Sequence, residues 1–515
     1  MSNDSPQTAP LLRSWLWQPI LIVFVSNACI MILELVAGRM IAPHVGVSLY
    51  TWTSIIGVIL AGISLGNFIG GKLADRYASL QLLGGIYVLA AFASLAVLWT
   101  DHIYRITPND WPIVSEIIAI TAALFFVPST ILGMISPLVA KLAVSDLAKT
   151  GSTVGNIYAA GALGSIVGTF ATGFVLIAWF GTYTIIWGVG ILLFAMGLIF
   201  FLGGRWQAIP ILALIVAGSS LYAVNEQWLK GPCILETNYY CIKINEEDQA
   251  GQPVRLLVLD HLVHSYVNLN DPTQLVYGYE KMYAELAQYQ AANKNQMRVL
   301  GIGGGGYTFP RYVEAIYPNS VVNVVEIDPG VTETAYTQLG LPRTSKIVTF
   351  NEDARLFFAR PPTMKYDLIL GDAFNHYSVP YHLTTKEFDD RVHEWLASDG
   401  LYIINIIDGP QGELMRAYVN TLRASFKYVY LAPGMDSWRT QTRMTHVIVA
   451  SDTALDVDAL KSLDGGDGSV YFANALLSPE ALQALLDEAP QVILTDQFAP
   501  VDNMLASVFR EEIPK

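Results

Sequence analysis

Seven uninterrupted apolar stretches fill the first 225 residues, at about 19–42, 49–71, 80–100, 112–136, 154–178, 182–203 and 206–224. Each is near the roughly 20 residues a helix needs to cross a bilayer. A chain of this kind has to fold as a polytopic α-helical membrane bundle of about seven spans. The first stretch is not a cleaved leader, because its apolar run is too long, has no convincing small-residue cleavage site and is followed by more spans. Small residues are dense in GVILAGISLGNFIGG (57–71) and YAAGALGSIVGTFATG (158–173). They let helix backbones approach where water supplies no driving force.

Charge divides the chain. Of all residues 53% are apolar and 14% charged, against roughly 25% charged in a soluble protein. Residues 1–225 hold eight Lys/Arg and seven Asp/Glu, whereas residues 226–515 hold 22 and 37. The second part is thus an acidic, soluble-type region, and its sign argues against nucleic acid as a partner. The expected organisation is a transmembrane bundle over 1–225, a small β region with a connecting helix over 226–290, and a Rossmann-like nucleoside-binding domain over 291–515.

Loop charges give an orientation for a multi-pass protein of the cell (inner) membrane. Arg13, Lys72, Arg76, Lys141, Lys149 and Arg205 flank the spans on the N-terminal side, and Arg39, Arg105 and Lys230 on the other. Six against three favours a cytoplasmic N-terminus, and an odd number of spans places the rest outside. Adenosyl cofactors are cytosolic, so the side of the soluble domain stays open at this point. Three cysteines, Cys29, Cys233 and Cys241, are too few for a zinc cluster or a disulfide scaffold. A Cys233–Cys241 bridge and two buried thiols are both compatible with the sequence.

After Pro232 short alternating patterns replace the long apolar ones. CILETNYYCIKINEE (233–247) and VRLLVLDHLVHSYVNL (254–269), joined by the turn-forming DQAGQP, predict a β-hairpin. A helix near 273–291 follows. Strands are then expected near 298–302, 321–326, 347–350, 366–370, 401–407, 427–431 and 445–450, with helices at 308–317, 330–339 and 384–397 between them. Such alternation implies a mostly parallel sheet covered by helices on both faces.

In RVLGIGGGGYTFPRYVEAIYP (298–318) an apolar strand runs into four successive glycines and then a helix, so backbone amides can approach a ligand closely. About twenty residues later Glu326 ends the strand of VVNVVEID (321–328), where a carboxylate can accept both hydroxyls of a ribose. This order identifies a nucleoside-binding sheet without choosing between dinucleotides and adenosyl-sulfonium cofactors. Asp353, in TFNEDARLFF, ends the third strand, where it can accept from an adenine amino group or cap a helix. Asp372 follows the fourth strand, beside the expected sulfonium.

In these residues the chain resembles the spermidine synthase family, the polyamine aminopropyltransferases. The resemblance covers about residues 233–450. It rests on the hairpin, YEKMYAEL (279–286), the glycine loop, VEID, EDA and the long GDAF…VPYHLTTKEF…LASDGL stretch. The whole chain is similar to the version in which a multi-span bundle precedes the synthase-like domain. LTDQFAPVDNM (494–504) resembles that version's tail.

The resemblance implies transfer of an aminopropyl group from decarboxylated S-adenosylmethionine to a di- or polyamine such as putrescine, without a metal. Methylthioadenosine would leave. It places Gly303, Gly304, Gly305, Glu326, Asp353, Ala354 and His264 around the cofactor and makes Asp372 the base. Tyr279, Glu280, Asn375 and Tyr377 would face the amine.

Several positions depart from the family pattern. Gly306 stands where an acid is usual, His264 where a glutamine is, Tyr279-Glu280-Lys281 in place of a Tyr-His-Glu box, and Asn375 at the second acid of the catalytic loop. An S-adenosylmethionine-dependent methyltransferase, and a non-enzymatic polyamine transporter or sensor, are the alternatives. The expected partners are a small amine and the lipid bilayer, with a homodimer left open.

Overall fold

The computed structural model describes residues 18–100, 104, 111–144, 147–201, 217–221, 225, 229–249, 251–292, 294–374, 379–435, 437–463, 471–505 and 508. It forms two compact units, Met1–Cys241 and Ile242–Pro514.

Among the described residues the first unit contains six helices long and apolar enough to cross a membrane. They are α1 (Gln18–Val45), α2 (Leu49–Tyr77), α3 (Leu80–Trp99), α4 (Val114–Ala143), α5 (Thr150–Trp179) and α6 (Thr182–Phe201). The sequence predicted seven spans. The seventh, 206–224, lies outside the described residues except for 217–221. Small residues do what their density suggested. A Cβ on Gly66 of α2 would lie 2.1 Å from the Thr130 carbonyl of α4, and one on Gly164 of α5 would lie 2.1 Å from the Phe24 carbonyl of α1. Backbones touch at these points, which takes the place of hydrophobic burial as the source of packing energy.

The second unit begins with an antiparallel meander, β2 (Cys241–Gln249), β3 (Gln252–Leu259) and β4 (Leu262–Asn268). The two-residue strand Leu235–Glu236, β1, precedes it. The stretch 254–269 predicted as one strand is thus two, because Asp260 takes a left-handed backbone (φ 53°) and turns the chain. The pairing of β3 with β4 shifts register between Leu257 and Val258, leaving His264 as the extra residue of a bulge.

Helix α7 (Gly278–Ala291) leads into a seven-stranded sheet of order β10-β11-β9-β8-β5-β6-β7. Its strands are β5 (Arg298–Ile302), β6 (Val321–Val325), β7 (Val348–Phe350), β8 (Tyr366–Gly371), β9 (Leu396–Asp408), β10 (Tyr428–Pro433) and β11 (Met444–Ser451). The five strands from β9 to β7 are parallel, and β11 and β10 extend the sheet antiparallel. All six residues of β8, and Gly400–Asp408 of β9, are buried without alternation. That pattern requires cover on both faces.

Parallel strands end at one edge, so the segments following β5, β6, β7 and β8 share it. Asp328, Asp353 and Thr385 use their side chains to cap the helices starting there, α9 (Pro329–Gln338), α10 (Ala354–Phe358) and α11 (Lys386–Trp395). Between β5 and β6 lies α8 (Thr308–Ile316), and after β9 lies α12 (Glu413–Arg423).

Candidate active site

The glycine loop leaves β5 between its neighbours β6 and β8. Gly303 has φ +94°, and a Cβ there would sit 2.5 Å from the Asp372 carbonyl. Only glycine reconciles that backbone with that contact. Its amide donates to the Val325 carbonyl (2.8 Å), and the Asp372 amide donates to the Ile302 carbonyl (3.0 Å). The three strand ends are therefore tied at one place, with Gly303, Gly304, Gly305 and Asp372 still partly open to solvent.

Gly306 is closed by a different neighbour. Its amide donates to Ser265 Oγ (2.8 Å), and a Cβ would meet Ser265 Cβ and Val267 Cγ2 at 2.7 Å. The β4 strand thus occupies the space in which the family's usual acid would stand. Gly306→Asp is expected to destabilise the protein by about 1–3 kcal/mol through overpacking rather than to restore a substrate contact. A thermal-unfolding comparison in detergent checks this, and an unchanged midpoint would refute it.

Glu326 is 6% exposed and follows β6. One carboxylate oxygen accepts from the Gly304 amide (2.7 Å) and the other from the Asp328 amide (2.9 Å). Burial pushes its pKa up, and these amide bonds, with that of Gly305, oppose the push. Each oxygen keeps a lone pair to offer a ligand hydroxyl, in an orientation fixed by the loop itself. Asp353 serves as helix cap and edge group at once. Its Oδ1 accepts from the Arg355 and Leu356 amides (2.7 and 3.3 Å), while Oδ2 lies 3.4 Å from His382 Nε2. Ala354 is buried as the first residue of α10.

Asp372 lies beside Gly303. Asn405 Nδ2 donates to its Oδ1 (2.8 Å), and the Tyr279 hydroxyl donates to the same carboxylate. Burial nevertheless raises its pKa to about 6. Glu280 is 4% exposed. Burial, and then the charge of Asp372, push it well above the ordinary carboxylate range. Its Oε2 has no hydrogen-bond partner among the described residues, nor has the buried Tyr283 hydroxyl. Two carboxyls and two phenols with unused acceptor capacity suit a cation carrying N–H groups. His264, in the β4 bulge, is pushed down to about 4 by burial and then by the Arg443 charge. It is neutral at physiological pH and is a poor proton donor there.

The structure thus brings Gly303, Gly304, Gly305, Glu326 and Asp372 together, with Tyr279 and Glu280 beside Asp372. Asp353 and Ala354 are placed one strand further along the same edge. His264 sits in the adjoining meander, and Asn375 and Tyr377 lie outside the described residues. Sequence reasoning missed Asn405, the polar interruption of an otherwise apolar strand, and Ser265, His382 and Arg355. Arg355 donates to the His382 carbonyl (2.7 Å) and Thr385 Oγ1 (2.9 Å) and pairs with Asp496, which also accepts from Thr385 Oγ1 (2.7 Å).

A mostly parallel sheet with a glycine loop after its central strand, and an acid ending the next strand, defines a Rossmann-like α/β fold of the class I methyltransferase type. No family model matches the chain. It is 36% identical over 115 residues to a polyamine aminopropyltransferase of Vibrio vulnificus, a match covering 22% of this chain and 38% of that one. It is 24% identical over 383 residues to a polyamine aminopropyltransferase of Corynebacterium efficiens, covering 68% of each. The crystal structure of a probable spermidine synthase from Corynebacterium glutamicum aligns with a TM-score of 0.45 at 21% identity, covering 51% of this chain and 95% of that one. The chain is similar to polyamine aminopropyltransferases, and it spans about a third of the length of the first curated relatives it matches.

Proposed function

We propose that the protein is a membrane-bound aminopropyltransferase that uses decarboxylated S-adenosylmethionine and a di- or polyamine of the putrescine type. The observation that carries this reading is the pairing of Asp372, at about 6, with Glu280 and Tyr279 directly beside the bare Gly303 backbone. The glycine loop and Glu326 would hold the nucleoside, with Asp353 at its base. Asp372 would then face the sulfonium.

An alkyl ammonium has a solution pKa near 10 and cannot attack while protonated. Asp372 can accept its proton, and the neighbouring sulfonium charge lowers the amine's own pKa. The freed nitrogen lone pair forms the new C–N bond on the propyl carbon. The C–S bond breaks with its electrons going to sulfur, methylthioadenosine departs, and the proton rests on Asp372. Holding nitrogen, carbon and sulfur in line supplies the remaining acceleration. Glu280 is the second anchor for a cationic chain.

Gly306 favours a second reading, methyl transfer from intact S-adenosylmethionine, because the loop there presents no carboxylate to repel that of the cofactor. Full-length protein is incubated with either sulfonium and a panel of diamines, and the sulfur product is identified by mass. Methylthioadenosine supports the proposal, S-adenosylhomocysteine supports the second reading, and neither product defeats both.

Glu280 adds a binding prediction. A raised pKa means that it keeps its proton to higher pH than an ordinary carboxyl in the free protein, and a bound ammonium lowers that pKa, so amine binding at a pH where the free carboxyl is protonated is expected to release a proton. Titration calorimetry in buffers of differing ionisation enthalpy measures this. Glu280→Gln should abolish the release and weaken amine affinity by about 10–100-fold, the effect of one lost charged hydrogen bond. Release that persists in Glu280→Gln would assign the proton elsewhere.

A further inference from the structure

Charged residues are rare in the six helices of the first unit, and every Lys, Arg, Asp or Glu but one lies within about two turns of a helix end. Asp75, near the end of α2, pairs with Lys141 of α4 at 3.4 Å. Arg39, in the last two turns of α1, donates to the Asn238 carbonyl (3.1 Å) and to that of Thr237. Glu34 is the exception. It stands about three turns, roughly 16 Å, from the nearer end of α1, close to the middle of a hydrocarbon core about 30 Å thick. Among the described residues no hydrogen bond or ion pair reaches its carboxyl.

From Ile22 to Val45 no residue of α1 is exposed, so neighbouring helices surround α1 and the partly buried Glu34 belongs to the interior of the bundle. Two of those neighbours break their helical ladders beside it. Ala122–Phe126 of α4 and Thr172–Leu176 of α5 are π-helical. The α5 turn packs on α1, as do the stretches of α4 on either side of its own turn, Ile113–Thr121 and Val127–Gly133. A Cβ on Gly164 would lie 2.1 Å from the Phe24 carbonyl, and one on Gly168 would lie 2.6 Å from that of Ala28. Helices α1 and α5 therefore run parallel, and the same offset brings Glu34 level with Phe174, inside the α5 turn. Trp52 of α2 lies on Gly38, and Gly62 of α2 lies against Phe126 and Ser129, which brings the α4 turn within about one or two helical turns of the same level.

A π turn carries one extra residue, so a backbone carbonyl loses its place in the ordinary helical ladder, and lipid offers it no donor. A buried threonine adjoins each turn. Thr121 Oγ1 donates to the Ile117 carbonyl (2.6 Å) and Thr172 Oγ1 to that of Gly168 (2.7 Å), which leaves both hydroxyl oxygens as acceptors. The layer thus gathers oxygen acceptors around one carboxyl, and none of the six helices places a Lys or Arg at that depth. An uncompensated carboxylate there is costly and is neutralised by a proton or by a cation. One negative charge calls for one positive charge, and neutral oxygens suit an alkali ion or the N–H groups of an ammonium.

We propose that Glu34 is the charged ligand of a cation site inside the helical bundle, completed by the π turns of α4 and α5, which takes one monovalent cation, an alkali ion or an alkyl ammonium, in exchange for a proton. The carboxylic acid gives its proton to water as the cation enters, so the layer is neutral in both states. The site is separate from the transferase chemistry of the second unit and does not depend on which group that unit transfers. A bundle built in this way binds a small cation, which a plain membrane anchor has no means to do.

The test uses the full chain in a mild detergent at fixed pH, treated with dicyclohexylcarbodiimide, an apolar reagent that adds to protonated carboxyls. Sodium, potassium and propylammonium chlorides are the probes, and tetramethylammonium chloride controls for ionic strength. The expected result is an adduct mapped by mass to Glu34. It should form about tenfold more slowly when one of the three probes is present at about ten times its dissociation constant, and at an unchanged rate in tetramethylammonium. Protection by sodium or potassium assigns an alkali ion, and protection by propylammonium assigns an amine. The protecting salt should also raise the thermal-unfolding midpoint of the wild type and leave that of Glu34→Gln where it was. No adduct at Glu34, an adduct that none of the three probes slows, equal slowing by tetramethylammonium, or a midpoint shift that survives in Glu34→Gln would each overturn the proposal.

Discussion

Replacing Asp372 with asparagine is expected to lower kcat by about two to four orders of magnitude, the usual contribution of a positioned general base. The amide retains an oxygen to accept from Asn405 Nδ2, so the side chain keeps its place while losing its charge and its basicity. Nucleoside binding should survive, which separates this outcome from loss of fold. The wild-type pH profile carries the same information. Asp372 has its pKa raised to about 6 by burial, so it is a carboxylate above that pH and a carboxylic acid below it. The rate should therefore fall about tenfold per unit as pH drops beneath about 6, and Asp372→Asn should flatten that limb. A wild-type rate that holds steady through the acid range would remove Asp372 from the role of base.

Gly303→Ala should be nearly as damaging through a different route. The position has φ +94° and its added carbon would sit 2.5 Å from the Asp372 carbonyl. A left-handed backbone costs an L-residue about 1–2 kcal/mol and overpacking about 1–3 kcal/mol, so a loss of roughly 2–5 kcal/mol is expected. Relief can come only by parting the loop from the end of β8, which moves Asp372 away from Gly303. Thermal unfolding and nucleoside binding should both deteriorate. A variant with wild-type unfolding and binding would show that the close approach is not needed.

The parallel strands were legible because each is a short apolar run bounded by turn residues. The predicted 298–302 is β5 as observed, and the other strand expectations differ mainly at their ends. The stretch 254–269 was misread because it is apolar on both sides of its turn. The turn is made by Asp260 in a left-handed conformation, without the glycine that ordinarily signals one. Gly303, Glu326, Asp353 and Asp372 could be proposed from order alone, since the first turn after each parallel strand falls at the same edge. Asn405 could not. It reaches Asp372 only because β9 lies next to β8, and strand order is not a local property of the chain. Gly306 read in sequence as a missing acid, whereas its packing against Ser265 and Val267 shows a site already filled.

Arg355, two residues after Asp353, is held by Thr385, the His382 carbonyl and Asp496, so a segment far along the chain fastens the helix that Asp353 caps. During synthesis at about 5–20 residues per second, Asp372 would leave the ribosome roughly 6–25 s before Asp496. For that interval the nascent domain has its glycine loop and Asp372 but lacks the carboxylate that holds Arg355 and Thr385. A ribosome stalled short of Asp496 would display the sheet with Arg355 and Thr385 lacking that carboxylate partner.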